Sequence, residues 1–212
     1  MQSIKGIDVT GKRVIVRVDY NVPITDGKID DDTKILASLK TINYLLDKKA
    51  KIILLSHLGR IKSQADKESH SLEIVAKHLS TLVSCGIYFI PFTMCEIVNK
   101  TIENMNNGEI VILENTRFED YPKSLESSWD EALSKYWASL GDLLVLDAFG
   151  SAHRCHASTY GISKYLPSYS GFLVDNEVSM LDKAIHQRKT LILGVANVDD
   201  KIGGIEKLNN TS

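Results

Sequence analysis

Three short apolar runs each lead directly into a polar segment that contains an arginine. The runs are residues 52–55, 110–113 and 143–146, and the arginines that follow them are Arg60, Arg117 and Arg154. Continuous apolar runs of this length are typical of parallel strands that are buried on both faces. In open α/β sheets, ligands bind just beyond the carboxyl ends of the strands. The pattern therefore predicts a basic pocket for a small polyanion at one edge of a parallel sheet.

Strand and helix patterns alternate along the rest of the chain. Predicted strands cover residues 12–18, 51–56, 87–90, 110–113, 143–146 and 189–193. Predicted helices cover 33–47, 94–105, 172–185 and two further segments that begin at Ser71 and at Ser128. Ser128 can cap the helix that it begins. We interpret the polar residues 61–70 and the Gly/Ser/Pro-rich stretch before Gly171 as loops. The alternation predicts an α/β fold, with a doubly wound, mostly parallel sheet and helices on both faces.

The composition narrows the classes of partner. The net charge is −2, so no global field attracts nucleic acid and any anion site must be a local cluster. The three widely spaced cysteines predict reduced thiols in a cytoplasmic protein. The sequence shows no apolar run long enough for a membrane span, no signal-peptide pattern at its start and no spacing typical of a zinc site. We therefore expect no nucleic-acid, membrane or metal partner.

Five short motifs occur in order along the chain. Residues 17–23 resemble R-V-D-[FY]-N-V-P, 56–60 match S-H-L-G-R, 113–118 resemble L-E-N-x-R-F, 147–154 resemble D-A-F-G-[TS]-A-H-R, and 171–173 fit G-F-L. Residues 192–202 are similar to a degraded I-L-G-G-A-K-V-x-D-K-I. Each motif alone would be weak, but together and in this order they resemble the phosphoglycerate kinase family.

The resemblance implies part of a two-domain enzyme. In this family, two Rossmann-like domains are joined by a hinge helix. The N-terminal domain binds 3-phosphoglycerate or 1,3-bisphosphoglycerate, and the C-terminal domain binds Mg-ADP or Mg-ATP as co-substrate. By resemblance, residues 1–170 form the phosphoglycerate-binding domain, 171–188 the hinge helix and 189–212 the truncated start of the nucleotide-binding domain. The family also implies a monomer.

The resemblance further implies the residues of the site. Those expected to bind substrate are Asp19, Tyr20, Asn21, Lys34, His57, Leu58, Gly59, Arg60, Arg117, His153 and Arg154, of which Lys34 and Arg154 would be catalytic. Those expected to contact the nucleotide are Gly194, Asn197 and Lys201. For the arginines the chemistry agrees, because a guanidinium fork matches a phosphate bidentately and keeps its charge. Without the resemblance, the same residues could be surface arginines, structural histidines and turn-forming polar residues.

Two sites depart from the family pattern. Lys34 stands where the family has a catalytic arginine, and a lysine keeps the charge but lacks the planar fork. Val195 and Asn197 replace the second glycine and the lysine of G-G-A-K. Because phosphoryl transfer depends on positioning and charge stabilisation, we expect Lys34 to cause a loss of rate on the order of 10²-fold or more.

The sequence therefore predicts a phosphoglycerate kinase, or its N-terminal part, which carries the phosphoglycerate site and is inactive alone. Two alternatives remain open. The chain could be a non-catalytic, kinase-derived module that binds phosphorylated acids, and Lys34 and Asn197 favour this interpretation. It could also be an interaction protein in which the old site is vestigial.

Overall fold

The computed structural model of the protein describes residues 1–185, of which Met1–Val174 form one compact unit. The strands are β1 Gln2–Ser3, β2 Arg13–Val18, β3 Ile24–Thr25, β4 Lys28–Ile29, β5 Lys51–Leu55, β6 Ile87–Ile90, β7 Ile110–Leu113, β8 Leu143–Asp147 and β9 Ser168–Ser170. The helices are α1 Thr33–Asp47, α2 Gln64–Ser69, α3 Glu73–Leu79, α4 Glu96–Glu103, α5 Glu131–Ser139, α6 Phe149–Ala152 and α7 Phe172–Ile185. The predicted strand 189–193 and the predicted domain 189–212 lie outside the described residues.

Seven strands form one sheet in the order β1-β9-β8-β2-β5-β7-β6. Every neighbouring pair in this sheet is parallel. The short strands β3 and β4 form a separate antiparallel hairpin. The prediction of a mostly parallel α/β sheet is therefore confirmed.

Two hydrophobic clusters cover the two faces of the sheet. Along β2, Val14, Val16 and Val18 belong to the first cluster, while Ile15 belongs to the second. This split follows from the alternation of side chains along a strand. The buried apolar residues of α1 and α3 belong to the first cluster, and those of α4 and α5 to the second. The doubly wound arrangement thus follows from two apolar layers on one sheet.

The topology brings the carboxyl ends of β2, β5, β7 and β8 to one edge of the sheet. Strand β2 lies between β5 and β8, with Arg17 in register with both Leu55 and Leu146. Strand β7 pairs with the other side of β5. The polar segments that follow these four strands therefore emerge side by side, at the position where ligands bind in open α/β sheets.

The prediction that residues 61–70 form a loop is wrong, because α2 occupies Gln64–Ser69. This helix has no buried residue, so it lacks the apolar period that would reveal it in the sequence. Its start is held by the Asp66 carboxylate, which accepts hydrogen bonds from the N–H groups of Lys62 and Ser63, both at 2.8 Å. Local capping, rather than core packing, positions this turn.

Two further expectations are corrected. The stretch before Gly171 contains β9, which pairs with β8 and β1; its serine-rich sequence lacks the apolar signal of a buried strand. Ser128 does not cap α5: the Asp130 carboxylate accepts from the Leu133 N–H at 2.8 Å. The Ser128 hydroxyl instead donates to the Ser124 carbonyl at 2.6 Å. Among residues 1–185, no helix has the length and apolar character needed to cross a bilayer.

Candidate active site

A cleft of about 320 Å³ opens at the edge of the sheet where the four strands end. Its lining residues are Asp19, Asn21, Lys34, His57, Gly59, Arg60, Arg117, Gly150, Ser151, Arg154 and His156. All except Lys34, in the first turn of α1, come from the segments that follow β2, β5, β7 and β8. The structure therefore brings eight of the eleven predicted substrate-binding residues into one cleft.

The other three predicted residues do not line this cleft. Tyr20 is buried, and its hydroxyl lies 2.9 Å from the Ser38 hydroxyl. Leu58 is also buried. His153 is exposed at the end of α6. The predicted nucleotide residues Gly194, Asn197 and Lys201 lie outside the described part of the chain.

The charge of the cleft is strongly positive. Of the side chains in residues 1–185, four cations and one carboxylate, that of Asp19, line it. The Lys34 ammonium pairs with Asp19 at 3.2 Å, and Arg117 pairs with Asp120 at 3.3 Å. Arg60 and Arg154 are exposed and make no ion pair within residues 1–185. Two guanidinium groups are thus available to an incoming anion.

The side chain of Arg117 lines the cleft and has one buried nitrogen, Nε, without a hydrogen-bond partner among the described residues. A buried N–H without a partner is costly. The side chain of Arg117 is only 13% exposed, so its position is fixed by packing and by Asp120. The guanidinium of Arg117 is therefore held in place where it lines the cleft.

Two histidines line the cleft in their neutral form. Burial, followed by the charges of Arg17 and Arg117, lowers the pKa of His57 to about 2. Burial, with the charges of Arg117 and Arg17, lowers the pKa of His156 to about 4. The positive charge of the cleft at physiological pH therefore comes from its arginines and its lysine. Within residues 1–185, no group of three or more His, Cys, Asp or Glu side chains could hold a metal ion.

The loop after β5 is held in place from both sides. The Gly59 N–H donates to Asn21 Oδ1 at 2.8 Å, which joins this loop to the segment after β2. Gly59 has φ +61°, and a Cβ built there would overlap the ring of His70. Glycine is thus required here both for the backbone conformation and for the close approach of His70. The turn brings His57 and Arg60 to the same cleft.

Asn115, which follows β7, also holds the loop after β5 in place. Its amide donates to the carbonyls of Leu58 at 2.7 Å and His70 at 2.9 Å. Its Oδ1 accepts from the N–H groups of Leu58 at 3.2 Å and Arg117 at 3.0 Å. The Glu114 carboxylate in turn accepts from the Asn115 N–H at 2.7 Å. One buried amide therefore fixes the two segments that carry Arg60 and Arg117.

Sequence reasoning assigned three residues of this region no role in the site, although for His156 it weighed a ligand role and a structural role about evenly. His156 lines the cleft but lies outside the best part of its motif. Arg17 lies fully buried at the end of β2, and Glu126 is fully buried as well. A charged residue inside an apolar strand was a usable signal for Arg17. No local pattern distinguishes Glu126 from an ordinary loop acid.

Comparison with known proteins gives curated relatives along almost the whole chain. The phosphoglycerate kinase of Listeria welshimeri is 47% identical over 205 residues, which cover 95% of this chain and 52% of the relative. That of Lacticaseibacillus casei is 48% identical over 209 residues, which cover 97% and 53%. The chain thus spans about half the length of the curated relatives it matches.

Solved structures agree with the sequence comparison. The structure of phosphoglycerate kinase from Coxiella burnetii matches with a TM-score of 0.82 and 32% identity, over 98% of this chain and 52% of that one. The phosphoglycerate kinase of Pyrococcus horikoshii matches with a TM-score of 0.84 and 30% identity, over 99% and 53%. The family model described as phosphoglycerate kinase matches residues 4–212. The chain belongs to the phosphoglycerate kinase family.

Proposed function

We propose that this chain forms the phosphoglycerate-binding half of a phosphoglycerate kinase. In the whole protein, the acyl phosphate of 1,3-bisphosphoglycerate would pass to ADP and give 3-phosphoglycerate and ATP, as a step of glycolysis. The observation that carries the proposal is the cleft itself, which four cationic side chains line together with a single carboxylate among residues 1–185. A small ligand with several negative charges satisfies this arrangement.

The chemistry of the lining residues divides the proposed ligand into two ends. Arg60, Arg117 and Arg154 would hold the phosphate, because guanidinium groups bind phosphate oxygens through paired N–H donors. Asp19 and Asn21 would bind the hydroxyl and carboxylate end, as in the family pattern. The lowered pKa of His57 keeps its ring neutral, so this side chain would contribute a hydrogen bond rather than a positive charge. His153 does not line the cleft, so we do not assign it to the ligand.

Transfer would depend on positioning and charge rather than on a covalent intermediate. Lys34 and Arg154 would stabilise the charge that develops on the transferring group. Mg²⁺ would arrive with the nucleotide, which Gly194, Asn197 and Lys201 would contact together with residues beyond this chain. We therefore expect no turnover by the 212-residue chain alone. Steady ATP formation above a blank preparation would contradict this.

The cellular location, the oligomeric state and the partners are inferred from the same resemblance. We propose a cytoplasmic, monomeric enzyme whose partners are small molecules and not nucleic acids or membranes. The net charge of −2 supports the absence of a nucleic-acid partner, because the chain has no global positive field.

Lys34 favours a second candidate, a non-catalytic module that binds phosphorylated acids. Its ammonium lies 3.2 Å from Asp19 Oδ2 and 3.1 Å from the Asn21 carbonyl, so it is already engaged by the segment after β2. Restoring arginine at position 34 and lysine at position 197 in a full-length protein separates the candidates. A decayed enzyme would regain rate, whereas a binding module would not.

The experiment that tests the proposal is a calorimetric titration of the 212-residue chain with 3-phosphoglycerate at physiological salt. We expect binding in the parent and a Kd roughly 10- to 100-fold higher in Arg154→Ala and in Arg60→Ala, the range for losing a charged hydrogen bond. Lys123→Ala is the matched control, because Lys123 is exposed and does not line the cleft. Absence of binding in the parent would leave only a vestigial site.

A further inference from the structure

A fully buried arginine lies directly beneath the cleft. Arg17 donates from Nε to the Ser158 hydroxyl at 2.8 Å and from Nη1 to the Val18 carbonyl. Its Nη2 lies 3.1 Å from Nδ1 of His57. The guanidinium therefore connects the end of β2, the π-helical turn Ala157–Gly161 and the loop after β5. It does not line the cleft.

A buried carboxylate balances this arginine. The Ser158 hydroxyl, which accepts from Arg17, donates to Glu126 Oε1, and the Ser158 N–H donates to Glu126 Oε2 at 2.9 Å. Glu126 is fully buried, and burial raises its pKa while the charge of Arg17 opposes that rise. Burying two opposite charges is costly unless their hydrogen bonds are satisfied, and here Ser158 bridges them. The pair fixes the guanidinium in one orientation.

The orientation of Arg17 decides where His57 carries its proton. A guanidinium has only donors, so the atom that faces Nη2 must be an acceptor. The His57 ring is neutral, since burial and the cations around it oppose a second proton. Nδ1 is therefore the unprotonated nitrogen, and Nε2 carries the hydrogen. Nε2 has no protein partner within residues 1–185, and the ring lines the cleft.

We propose that Arg17 is a positioning residue: held by Ser158 and Glu126, it fixes His57 as the Nε2–H tautomer, so that this N–H donates to an oxygen of the bound ligand. The inference rests on the proposed function for the identity of that ligand, a phosphoglycerate. The alternative is a purely structural pair that joins the π-helical turn to β2 and has no effect on the ring of His57.

The position of the proton is measurable without ligand. In the 212-residue chain labelled with ¹⁵N-histidine, long-range ¹H–¹⁵N correlation spectra distinguish protonated from unprotonated ring nitrogens. The His57 signals are those that His57→Gln removes. We expect an unprotonated Nδ1 and a protonated Nε2 in the parent. A protonated Nδ1 would overturn the proposal.

The variant must remove both buried charges, because Arg17→Met alone would leave Glu126 without its partner. We expect Arg17→Met/Glu126→Gln to fold, as judged by circular dichroism, and to show both His57 tautomers in exchange. A single Nε2–H tautomer in that folded variant would overturn the proposal. If it does not fold, Arg17→Gln/Glu126→Gln, whose amide at position 17 can accept as well as donate and so does not select one tautomer, takes its place with the same expectation.

A thermodynamic cycle tests whether Arg17 acts through His57. In the parent background, His57→Ala should raise the Kd for 3-phosphoglycerate about tenfold, the effect of one hydrogen bond. In the Arg17→Met/Glu126→Gln background, the same change should raise it by a smaller factor, because only the Nε2–H fraction of the rings can donate. Equal fold-changes in both backgrounds would contradict the positioning role. No binding by the parent would overturn the proposed function and the donor role with it, while the tautomer spectra would still decide whether Arg17 sets the proton.

Discussion

Lys34 and Asp19 both line the cleft and form an ion pair, with the Lys34 ammonium 3.2 Å from Asp19 Oδ2. The same ammonium lies 3.1 Å from the Asn21 carbonyl. Both contacts belong to the segment after β2, so the charge of Lys34 is partly occupied before any ligand arrives. An arginine at this position could keep the contact with Asp19 through one nitrogen and offer a second to a transferring phosphoryl group.

We therefore predict that Lys34→Arg raises phosphoryl transfer. The measurement is the rate of ATP formation from 1,3-bisphosphoglycerate in a chimera of residues 1–170 with the second half of the Lacticaseibacillus casei relative. The expected gain is on the order of 10²-fold in kcat, since the added group acts on the transition state. Lys48→Arg, at an exposed position at the end of α1, should leave the rate unchanged. An equal rate in the parent and in Lys34→Arg would show that the lysine is not limiting.

Gly59→Ala should destabilise the fold more than a comparable substitution elsewhere. Gly59 and Gly27 have similar backbone angles, φ +61° and φ +71°, but a Cβ at Gly27 meets no atom within 4 Å. Both alanines carry a strain of about 1–2 kcal/mol. Only Gly59→Ala must also displace the ring of His70, which donates from Nδ1 to the Asp66 carbonyl at 2.8 Å.

The free energies of unfolding in urea of the two variants measure this difference. Gly59→Ala should lose clearly more than Gly27→Ala, and adding His70→Ala should recover part of the excess. Identical losses would mean that the backbone angle alone requires the glycine.

Acid should destabilise this protein through its buried histidines. The folded pKa of His156 is lowered from 6.5 to about 4, so the unfolded chain binds the extra proton first as pH falls. Stability due to His156 is therefore complete above pH 6.5 and declines between pH 6.5 and 4, by up to about 1.4 kcal/mol per pH unit. His57 acts in the same direction, since its pKa is lowered to about 2.

Urea unfolding between pH 4.5 and 7 measures the slope. His156→Gln should reduce the dependence of the free energy of unfolding on pH in this window. The matched substitution His153→Gln, at an exposed side chain, should leave the slope of the parent. A slope unaffected by His156→Gln would mean that this ring does not remain neutral in the folded protein.

The parts of the fold that the sequence predicts are those with a strong apolar pattern. The predicted bounds of α1, α7, β6 and β7 agree with the structure because the sequence of each contains a continuous apolar run or a regular apolar stripe. The helix α2 has no buried residue, and the strands β1 and β9 are short and serine-rich. Their sequences therefore contain no apolar period that would predict them. Backbone pairing and capping, which are tertiary or local polar effects, determine these three.

The site divides in the same way. The motifs identify Arg60, Arg117 and Arg154 as residues that line the cleft, because each motif follows a strand and the strand ends converge in this fold. They do not separate Tyr20 and Leu58 from their neighbours, although the structure turns both inward to the core. The association of Arg17 with Glu126 joins distant parts of the chain, and only the packed structure shows it.

Asn115→Asp is the last prediction, and it concerns the buried amide that supports two arginine-bearing loops. The amide nitrogen donates to the carbonyls of Leu58 and His70, at 2.7 Å and 2.9 Å. An aspartate of nearly the same shape would direct an oxygen at both carbonyls and bury a charge, so the cost should be about 3 kcal/mol or more. Asn104→Asp is the matched control, because that exposed amide also donates to one carbonyl, at 2.7 Å from Lys100 O, and should lose no more than about 1 kcal/mol. Urea unfolding gives both values, and the affinity of Asn115→Asp for 3-phosphoglycerate should fall at protein concentrations where the variant is still folded. Equal stability of the two variants would mean that the Asn115 side chain does not hold the Leu58 loop.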